Sequence, residues 1–307
     1  SAHQHRNSLA DSEDQAPGGR KTFSSYLDQM AAVGFKPSSS RGQNFLLDPS
    51  LHRWIAEQAN PTQADTVIEI GVGLGFLTRE LSQRAGKVLA VEIEPRLLEI
   101  AKRELADRSN IEWLETDALS GSGRSLAPRI CEVAEACNGR ILVIANLPYS
   151  VSGPMLAELA QMPRMPDRIV VLVQKELGQR LVAPFGTGTY GGLSGLVQSM
   201  FVAQSLRDVS PSVFRPRPNV WSSVISLEVR QDLPKELLPA AARRRFSLFL
   251  RKLFGQRRKS LRRTFTIAKE ALARPDAMLR AEWSGKRAEQ LSPNQLLDLW
   301  ADCESGS

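Results

Sequence analysis

The stretch Asn146-Leu147-Pro148-Tyr149 brings hydrogen-bond acceptors and an aromatic ring together at close spacing. An exocyclic amine on a nucleobase is a poor nucleophile, because its lone pair is delocalised into the ring. The Asn146 side-chain oxygen and the backbone carbonyl before or at Pro148 can accept both amino hydrogens and hold the nitrogen in line with an incoming group. Tyr149 is suited to stack on the base. The stretch predicts an amine-modifying site, and a plain turn at a strand end is the competing interpretation.

A glycine-rich turn from Glu69 to Gly75 lies upstream, between a predicted strand and a predicted helix. Glycines in such a turn let backbone amides approach a charged ligand closely. Glu92, at the end of the next predicted strand, is placed to accept both hydroxyls of a ribose. Asp117 ends the third strand and is placed to accept a hydrogen bond from an adenine amino group, unless it is simply a turn residue.

The spacing of this turn discriminates between two cofactor classes. Nicotinamide dinucleotides favour G-x-G-x-x-G/A, and Phe76 stands where the third small residue is required. S-adenosylmethionine has no pyrophosphate, and its cationic sulfonium and amino groups suit a looser turn with nearby acids. The pattern therefore favours S-adenosylmethionine. Its methyl group is already activated, and no His or Cys pair has metal-ligand spacing, so no metal is predicted.

The candidate residues lie at the ends of predicted strands, so they can form one site only in a fold that brings those ends together. The sequence predicts such a fold, because predicted strands and helices alternate along the chain. Amphipathic spacing from Phe23 to Val33 predicts a short first helix, and Asp48 followed by Pro49 predicts a helix start. A β-α-β-α succession predicts a parallel, doubly wound sheet with its ligands at the carboxyl ends of the strands. The predicted strands are Thr66 to Ile70, Val88 to Val91, Ile111 to Leu114, Ile141 to Ile144 and Ile169 to Val173.

Composition narrows the class of protein. A chain of 307 residues with 42% hydrophobic residues can form a large core, and three cysteines cannot build a disulfide framework. The longest apolar stretches are strand-sized and the N-terminus has no signal-peptide pattern, so no membrane span and a cytoplasmic location are expected. We predict an N-terminal extension over residues 1–35, disordered to about residue 20, a ligand-binding domain over 36–232 and a helical domain over 233–307.

A basic segment dominates the net charge of +7, because ten Lys or Arg and no acid lie between Arg243 and Arg263, which leaves −3 for the rest. Ten unopposed charges repel one another unless a polyanion is near, so the segment predicts contact with nucleic acid. A solvated helix face is the competing interpretation. Phe246, Phe249 and Phe254 have helical spacing and are predicted to be core residues.

Six motifs, taken together, closely resemble the small-subunit ribosomal RNA adenine N6,N6-dimethyltransferases of the KsgA type. The resemblance runs in order from about Arg41 to about Trp300. The motifs are Gly42-Gln43-Asn44-Phe45-Leu46, Glu69 to Gly75, Asn146 to Tyr149, Gln174-Lys175-Glu176, Phe214 to Ser222 and Gln256-Arg257-Arg258-Lys259.

The resemblance implies an α/β fold: a Rossmann-like class I methyltransferase domain with a mostly parallel seven-stranded sheet, plus a small all-helical C-terminal domain. It implies transfer of methyl groups from S-adenosylmethionine to two adjacent adenosines near the 3′ end of small-subunit rRNA, in an immature ribosomal subunit. A monomeric enzyme is expected.

The resemblance also implies individual roles. Asn44 and the Leu46 backbone would hold the amino-acid end of the cofactor, and Phe214 would form a second aromatic wall beside the base. The full set of implied cofactor contacts is Gln43, Asn44, Leu46, Glu69, Gly71, Gly73, Glu92, Ile93, Asp117, Ala118 and Asn146. The implied catalytic set is Asn146, Leu147, Pro148, Tyr149 and Phe214, and the implied RNA contacts are Arg251, Lys252, Arg257, Arg258, Lys259, Arg262 and Arg263.

Two other functions remain open on the sequence. One is methylation of large-subunit rRNA. The helical, basic C-terminal segment argues against it, and so does Leu147, which stands in place of Ile. The other is a non-catalytic RNA-binding or transcription factor on the same fold, against which the intact Asn146 to Tyr149 motif argues.

Overall fold

The computed structural model describes residues 23–38, 43–120 and 125–305. The helix predicted from Phe23 is confirmed as Phe23–Ala32 (α1), followed by Gly34 with a backbone φ of +71°. The predicted disordered lead over residues 1–20, and Gly42 of the first motif, lie outside the described residues.

Seven strands of the described residues form the central sheet. They are β2 (Thr66–Ile70), β3 (Lys87–Glu92), β4 (Ile111–Glu115), β7 (Ile141–Asn146), β8 (Arg168–Gln174), β9 (Phe201–Val209) and β11 (Ser222–Val229). Their order is β4-β3-β2-β7-β8-β11-β9. The first five are parallel, and β11 is antiparallel to both of its neighbours. The predicted mostly parallel, Rossmann-like sheet is confirmed.

Two small strand pairs complete the β structure of the described chain. β1 (Phe45–Leu46) pairs with β10 (Phe214–Arg215), and β5 (Leu119–Ser120) pairs with β6 (Ser125–Leu126). The first pair sets Leu46 opposite Phe214, so two motifs about 170 residues apart in the chain become neighbours.

Helices connect the strands and close the chain. After α1, they are α2 (Pro49–Ala59), α3 (Phe76–Ser82), α4 (Pro95–Glu104), α5 (Pro128–Ala136), α6 (Ser152–Leu159), α7 (Lys175–Leu181), α8 (Gly192–Met200), α9 (Ala240–Leu253), α10 (Leu261–Ala271) and α11 (Pro293–Ser305). In the described residues, no helix has both the length and the apolar character to cross a bilayer.

Local chemistry fixes where the site-forming helices begin. Asp48 caps α2, since its carboxylate accepts hydrogen bonds from the Ser50 and Leu51 amides and Pro49 takes the first helical position. Glu94 caps α4 in the same way, through the Arg96 amide, with Pro95 first in the helix. The predicted helix start at Asp48 is confirmed.

The sheet is buried on both faces, which is typical of parallel sheets. Alternate residues of a strand therefore enter different cores. Val67 and Leu142 pack with α2 and α3, whereas Ile68 and Val143 belong to the core on the other face. This second core continues into the C-terminal helices, where Phe246 and Phe249 are fully buried and Phe254 is half-buried. The prediction that these three rings are core residues is confirmed.

Candidate active site

One cavity lies at the carboxyl ends of the central strands, and it brings together every residue predicted to bind cofactor or to act in catalysis. They come from six segments that are far apart in the chain. The lining includes Gln43, Asn44, Leu46, Glu69, Gly71, Gly73, Glu92, Ile93, Asp117, Ala118, Asn146, Leu147, Pro148, Tyr149 and Phe214.

The glycine turn after β2 has a backbone that other residues rarely adopt. Gly71, Gly73 and Gly75 all have positive φ angles, of +84°, +57° and +84°. At Gly71 a Cβ would also stand 3.0 Å from the Asn146 carbonyl oxygen, so the turn and the end of β7 touch. The two motifs singled out in the sequence are therefore packed backbone to backbone.

Glu92 locks the turn to the end of β3. Its carboxylate accepts hydrogen bonds from the Gly73 amide at 2.8 Å and the Glu94 amide at 3.0 Å. The side chain is buried, and burial raises its pKa. Asp117 lines the same cavity, is exposed, and accepts a hydrogen bond from the Leu119 amide at 3.0 Å. Each carboxylate is thus held by backbone amides, which leaves further acceptor capacity for a ligand.

Buried acceptors without partners lie at the centre of the cavity. No hydrogen bond of normal geometry reaches either carboxylate oxygen of Glu69 or the side-chain oxygen of Asn44 within the described residues, and the nearby Thr78 hydroxyl only partly offsets the effect of burial on Glu69. Burial, reinforced by Glu92, raises the pKa of Glu69 to about 8. Buried polar groups are normally satisfied, so an unsatisfied set in a cavity fits a ligand that donates hydrogen bonds or carries positive charge. The amino group of S-adenosylmethionine has this chemistry, and the site fits it.

The Glu69 carboxyl gives the ligand-free protein a pH-dependent stability, and we expect Glu69→Gln to remove it. The native state keeps the proton up to about pH 8, whereas the unfolded chain releases it near pH 4.3. Its stabilising contribution is full below the unfolded pKa and is lost as pH rises through the native pKa, at no more than about 1.4 kcal/mol per pH unit.

Urea unfolding at pH 6.5 and pH 8 measures this contribution. His52, whose native pKa is lowered by burial, is present in both proteins, so its contribution cancels from the comparison. The wild type should lose more unfolding free energy across the window than the Gln variant. Equal losses in both proteins would contradict a buried, protonated Glu69.

The turn after β7 shows which of the two backbone carbonyls, that of Leu147 or that of Pro148, is free to accept a hydrogen bond from an amine. The Pro148 carbonyl already accepts hydrogen bonds from the Val151 amide at 3.2 Å and the Ser152 hydroxyl at 3.0 Å. The Leu147 carbonyl accepts none from the described residues. The Leu147 oxygen, before the proline, is therefore the acceptor available beside the Asn146 side chain.

Two aromatic rings line this part of the cavity. The Tyr149 hydroxyl lies 3.2 Å from the Ser222 hydroxyl at the start of β11, which fixes the half-buried ring. Phe214 is buried in β10 beside Leu46. Tyr149 comes from the same segment as Asn146 and Leu147, whereas Phe214 comes from a distant one.

The cavity also includes residues that sequence reasoning missed. His52 of α2 is buried, its ring centroid is 5.5 Å from that of Phe76, and burial lowers its pKa to about 4, so it is neutral at pH 7. The sequence did carry a signal for His52: it is three residues before Ile55, so both residues lie on the same face of α2, and both line the cavity. The helix α1 packs behind the same wall, since Tyr26 and Met30 share a core with Phe45.

The basic segment is divided by the structure, which corrects its description as ten unopposed charges. Arg243 is buried and donates to five backbone carbonyls, among them Ala160 and Met162. Arg245 pairs with Glu304. Arg257, a predicted RNA contact, pairs with Glu289 and donates to the Gly188 and Tyr190 carbonyls.

An exposed remainder is still consistent with RNA contact. The other Lys and Arg side chains of the segment are exposed, and no carboxylate of the described residues lies within 4 Å of their charged groups. The Arg263 side chain donates a hydrogen bond only to Gln256. Arg244 is one of these exposed residues, and the other six, which are the remaining predicted RNA contacts, are Arg251, Lys252, Arg258, Lys259, Arg262 and Arg263. We call this set of six the basic surface.

Arg243 is a structural residue, and we expect Arg243→Met to lower the free energy of unfolding by about 3 kcal/mol or more, because several buried carbonyls lose their donor. Arg258→Met, at an exposed position of the same segment, should change it by less than about 0.5 kcal/mol. Denaturant unfolding compares the two variants. Similar small changes in both would show that Arg243 does not hold these carbonyls.

Solved structures place the fold in a known class. A dimethyladenosine transferase from Plasmodium falciparum superposes with a TM-score of 0.68 at 23% identity, covering 85% of this chain and 98% of that one. The 23S rRNA methyltransferase ErmE superposes with a TM-score of 0.59 at 24% identity, covering 85% and 100%. The fold is that of the Rossmann-like methyltransferases.

The sequence comparisons then define the family. The model of the ribosomal RNA adenine dimethylase family matches residues 34–296, and the chain belongs to this family.

Curated relatives agree, and each is named ribosomal RNA small subunit methyltransferase A. The protein of Alkaliphilus oremlandii is 38% identical over 228 residues, 74% of this chain and 76% of the relative. That of Bacillus cytotoxicus is 38% identical over 235 residues, 76% and 78% of the two chains. That of Staphylococcus epidermidis is 36% identical over 239 residues, 78% and 77%. The resemblance and the enzyme class inferred from the motifs are confirmed.

Proposed function

We propose that this protein transfers methyl groups from S-adenosylmethionine to the exocyclic N6 of two adjacent adenosines near the 3′ end of small-subunit rRNA, during assembly of the subunit. The observation that supports this most strongly is the shared cavity. It joins the glycine turn and the unpartnered Glu69 carboxyl to the Asn146 and Leu147 oxygens. The names of the curated relatives point to the small subunit.

The protein's part in the reaction is to orient the adenine amine. The Asn146 side-chain oxygen and the Leu147 carbonyl accept its hydrogens, which withdraws the nitrogen lone pair from conjugation with the ring and directs it at the methyl group. Pro148 fixes the backbone of this acceptor pair. Tyr149 and Phe214 hold the base between them, as aromatic side chains do for an unpaired nucleotide.

The remaining residues of the cavity are assigned to the methyl donor, which when bound supplies an electrophilic methyl group on a sulfonium. Glu69, Asn44 and the Leu46 backbone hold its amino-acid end, with Gln43 beside them. Glu92 accepts the ribose hydroxyls from a carboxylate already fixed by the Gly73 amide. The adenine is held by Asp117, with Ile93 and Ala118 against the ring.

The basic surface anchors the rRNA through its phosphates. A polyanion relieves the mutual repulsion of these six exposed cations, which explains why they are clustered on α9, α10 and the turn between them. The enzyme acts on the immature subunit as a monomer in the cytoplasm.

Incubation with methyl-labelled S-adenosylmethionine and immature small ribosomal subunits tests the proposal. Label should appear in N6,N6-dimethyladenosine, at two neighbouring positions of the small-subunit rRNA. Label found only with large subunits as acceptor would favour methylation of large-subunit rRNA instead. RNA binding without any label would favour a non-catalytic binding protein on this fold.

A further inference from the structure

The loop that enters β11 ends in an exposed aromatic residue with no assigned role. Trp221 is 50% exposed, and its neighbour Val220 is 43% exposed. Single exposed apolar residues are common on protein surfaces, so the case for Trp221 rests on its place in the fold and on its neighbours. Trp residues are also among the strongest contributors to binding.

Trp221 is held at the edge of the amine-binding cavity. Its carbonyl accepts the Lys175 amide at 2.9 Å, and the next residue, Ser222, contacts the Tyr149 hydroxyl. Ser222 pairs with Gln174 at the end of β8, and β8 lies beside β7, which ends at Asn146. Asn146 faces Leu172 and Ser222 faces Gln174, so Trp221 is two strand spacings of about 4.8 Å from the acceptor pair and also two to three residues further along the strands. The two backbones are therefore about 12 to 14 Å apart, a span that the Trp221 side chain and the backbone of one or two nucleotides can bridge.

The charges around the ring fit a polyanion. The Lys175 ammonium lies over the indole, 5.9 Å from its centroid, and is held there by Asp208 at 2.8 Å. A second, shallow cavity beside the ring is lined by Ser210, Pro211, Arg217, Pro218, Asn219 and Trp221. Arg217 is exposed, and no described carboxylate lies within 4 Å of it. A cation, an amide and an indole thus share one small surface.

We propose that Trp221 is a second base-binding site, which stacks on the nucleotide next to the target adenosine while Arg217 contacts the adjoining phosphate. The inference rests on the proposed function and adds to it the recognition of single-stranded RNA flanking the target. Lys175 occupies one face of the indole and the base stacks on the other. Stacking of bases on aromatic side chains and cation contacts to the backbone are the usual means of binding single strands.

Kinetics with immature small subunits test this site through Trp221→Ala. Loss of one stacked base weakens RNA binding by roughly fivefold to a hundredfold, so the KM for the subunit should rise about tenfold. The KM for S-adenosylmethionine and kcat at saturating subunit should stay within about twofold. Trp221→Phe keeps a stacking ring and should restore most of the affinity, which a merely structural role of the indole would not predict.

Val202→Ala is the control, because Val202 is an apolar residue that is 64% exposed, and it is the second residue of β9, at the end of that strand remote from Ser222. It should leave every constant unchanged. An unchanged KM for the subunit in Trp221→Ala would overturn the inference, and so would an equal rise in the control. Absence of dimethyladenosine with the wild type would instead refute the proposed function.

Fluorescence gives a measurement that does not depend on turnover. A single-stranded oligoribonucleotide with two adjacent adenosines should quench wild-type emission more than that of Trp221→Phe. An abasic residue beside the adenosines should abolish the difference. Equal quenching in both proteins would overturn the inference even if methyl transfer is normal, and the difference would support the site even if no methyl transfer occurs.

Discussion

Asn146→Ala should lower kcat for methyl transfer by about 10²- to 10³-fold while RNA affinity stays within about twofold. The expected size is that of removing one preorganised hydrogen-bonding group from a reaction centre. Asn146 ends β7 against the glycine turn, and its side chain lines the cavity. Single-turnover methylation of small subunits measures the rate, and filter retention of labelled rRNA measures binding.

Two further variants make this result specific. Asn138→Ala removes an exposed carboxamide just before β7, at the opposite end of the same strand, and should leave both quantities unchanged. Asn146→Asp keeps acceptor oxygens at the site and should retain more of the rate than the Ala variant. Equal loss of rate and RNA affinity in Asn146→Ala would contradict the role assigned to this side chain.

The second large effect is expected at the basic surface. Replacing Arg258, Lys259 and Arg262 by Gln should weaken rRNA binding by about a hundredfold near 0.15 M salt. The logarithmic salt dependence of binding should also become shallower by about two to three units, because each lost phosphate contact removes nearly one unit. Arg257 is excluded from this set, since its guanidinium is held by Glu289.

A control variant that loses the same number of positive charges distinguishes the loss of local RNA contacts from the change in net charge. Gln at Arg53, Lys102 and Lys235 removes three exposed cations that lie outside the basic surface. The salt dependence should then keep its slope. An unchanged slope in the basic-surface variant, or the same reduction in both, would place the RNA contact elsewhere.

The sequence predicted that the site residues lie together, because a parallel sheet collects the carboxyl ends of its strands at one edge. Glu92 and Asn146 are the last residues of β3 and β7, and Asp117 lies two residues after β4, so the chain order of the elements was sufficient to bring them together. The start of α2 was also predictable from the sequence, because Asp48 and Pro49 determine it through contacts with neighbouring residues and no distant segment is needed.

The remaining features depend on packing between distant segments. Counting charges along the chain could not reveal that Arg243 is surrounded by carbonyls from the segment after α6, or that Arg257 meets Glu289. The choice of the Leu147 over the Pro148 carbonyl needed the turn to Val151 and Ser152. The position of Trp221 beside the Tyr149 contact emerged only from the pairing of β11 with β8.

A crystal structure of the protein with S-adenosylhomocysteine and an adenosine-containing oligonucleotide tests the central claim most directly. The account predicts the adenine amine within hydrogen-bond distance, about 3 Å, of both the Asn146 side-chain oxygen and the Leu147 carbonyl, with its nitrogen facing the sulfur. The account would be contradicted by a sulfur atom lodged away from Asn146, or by an amine bonded to neither oxygen.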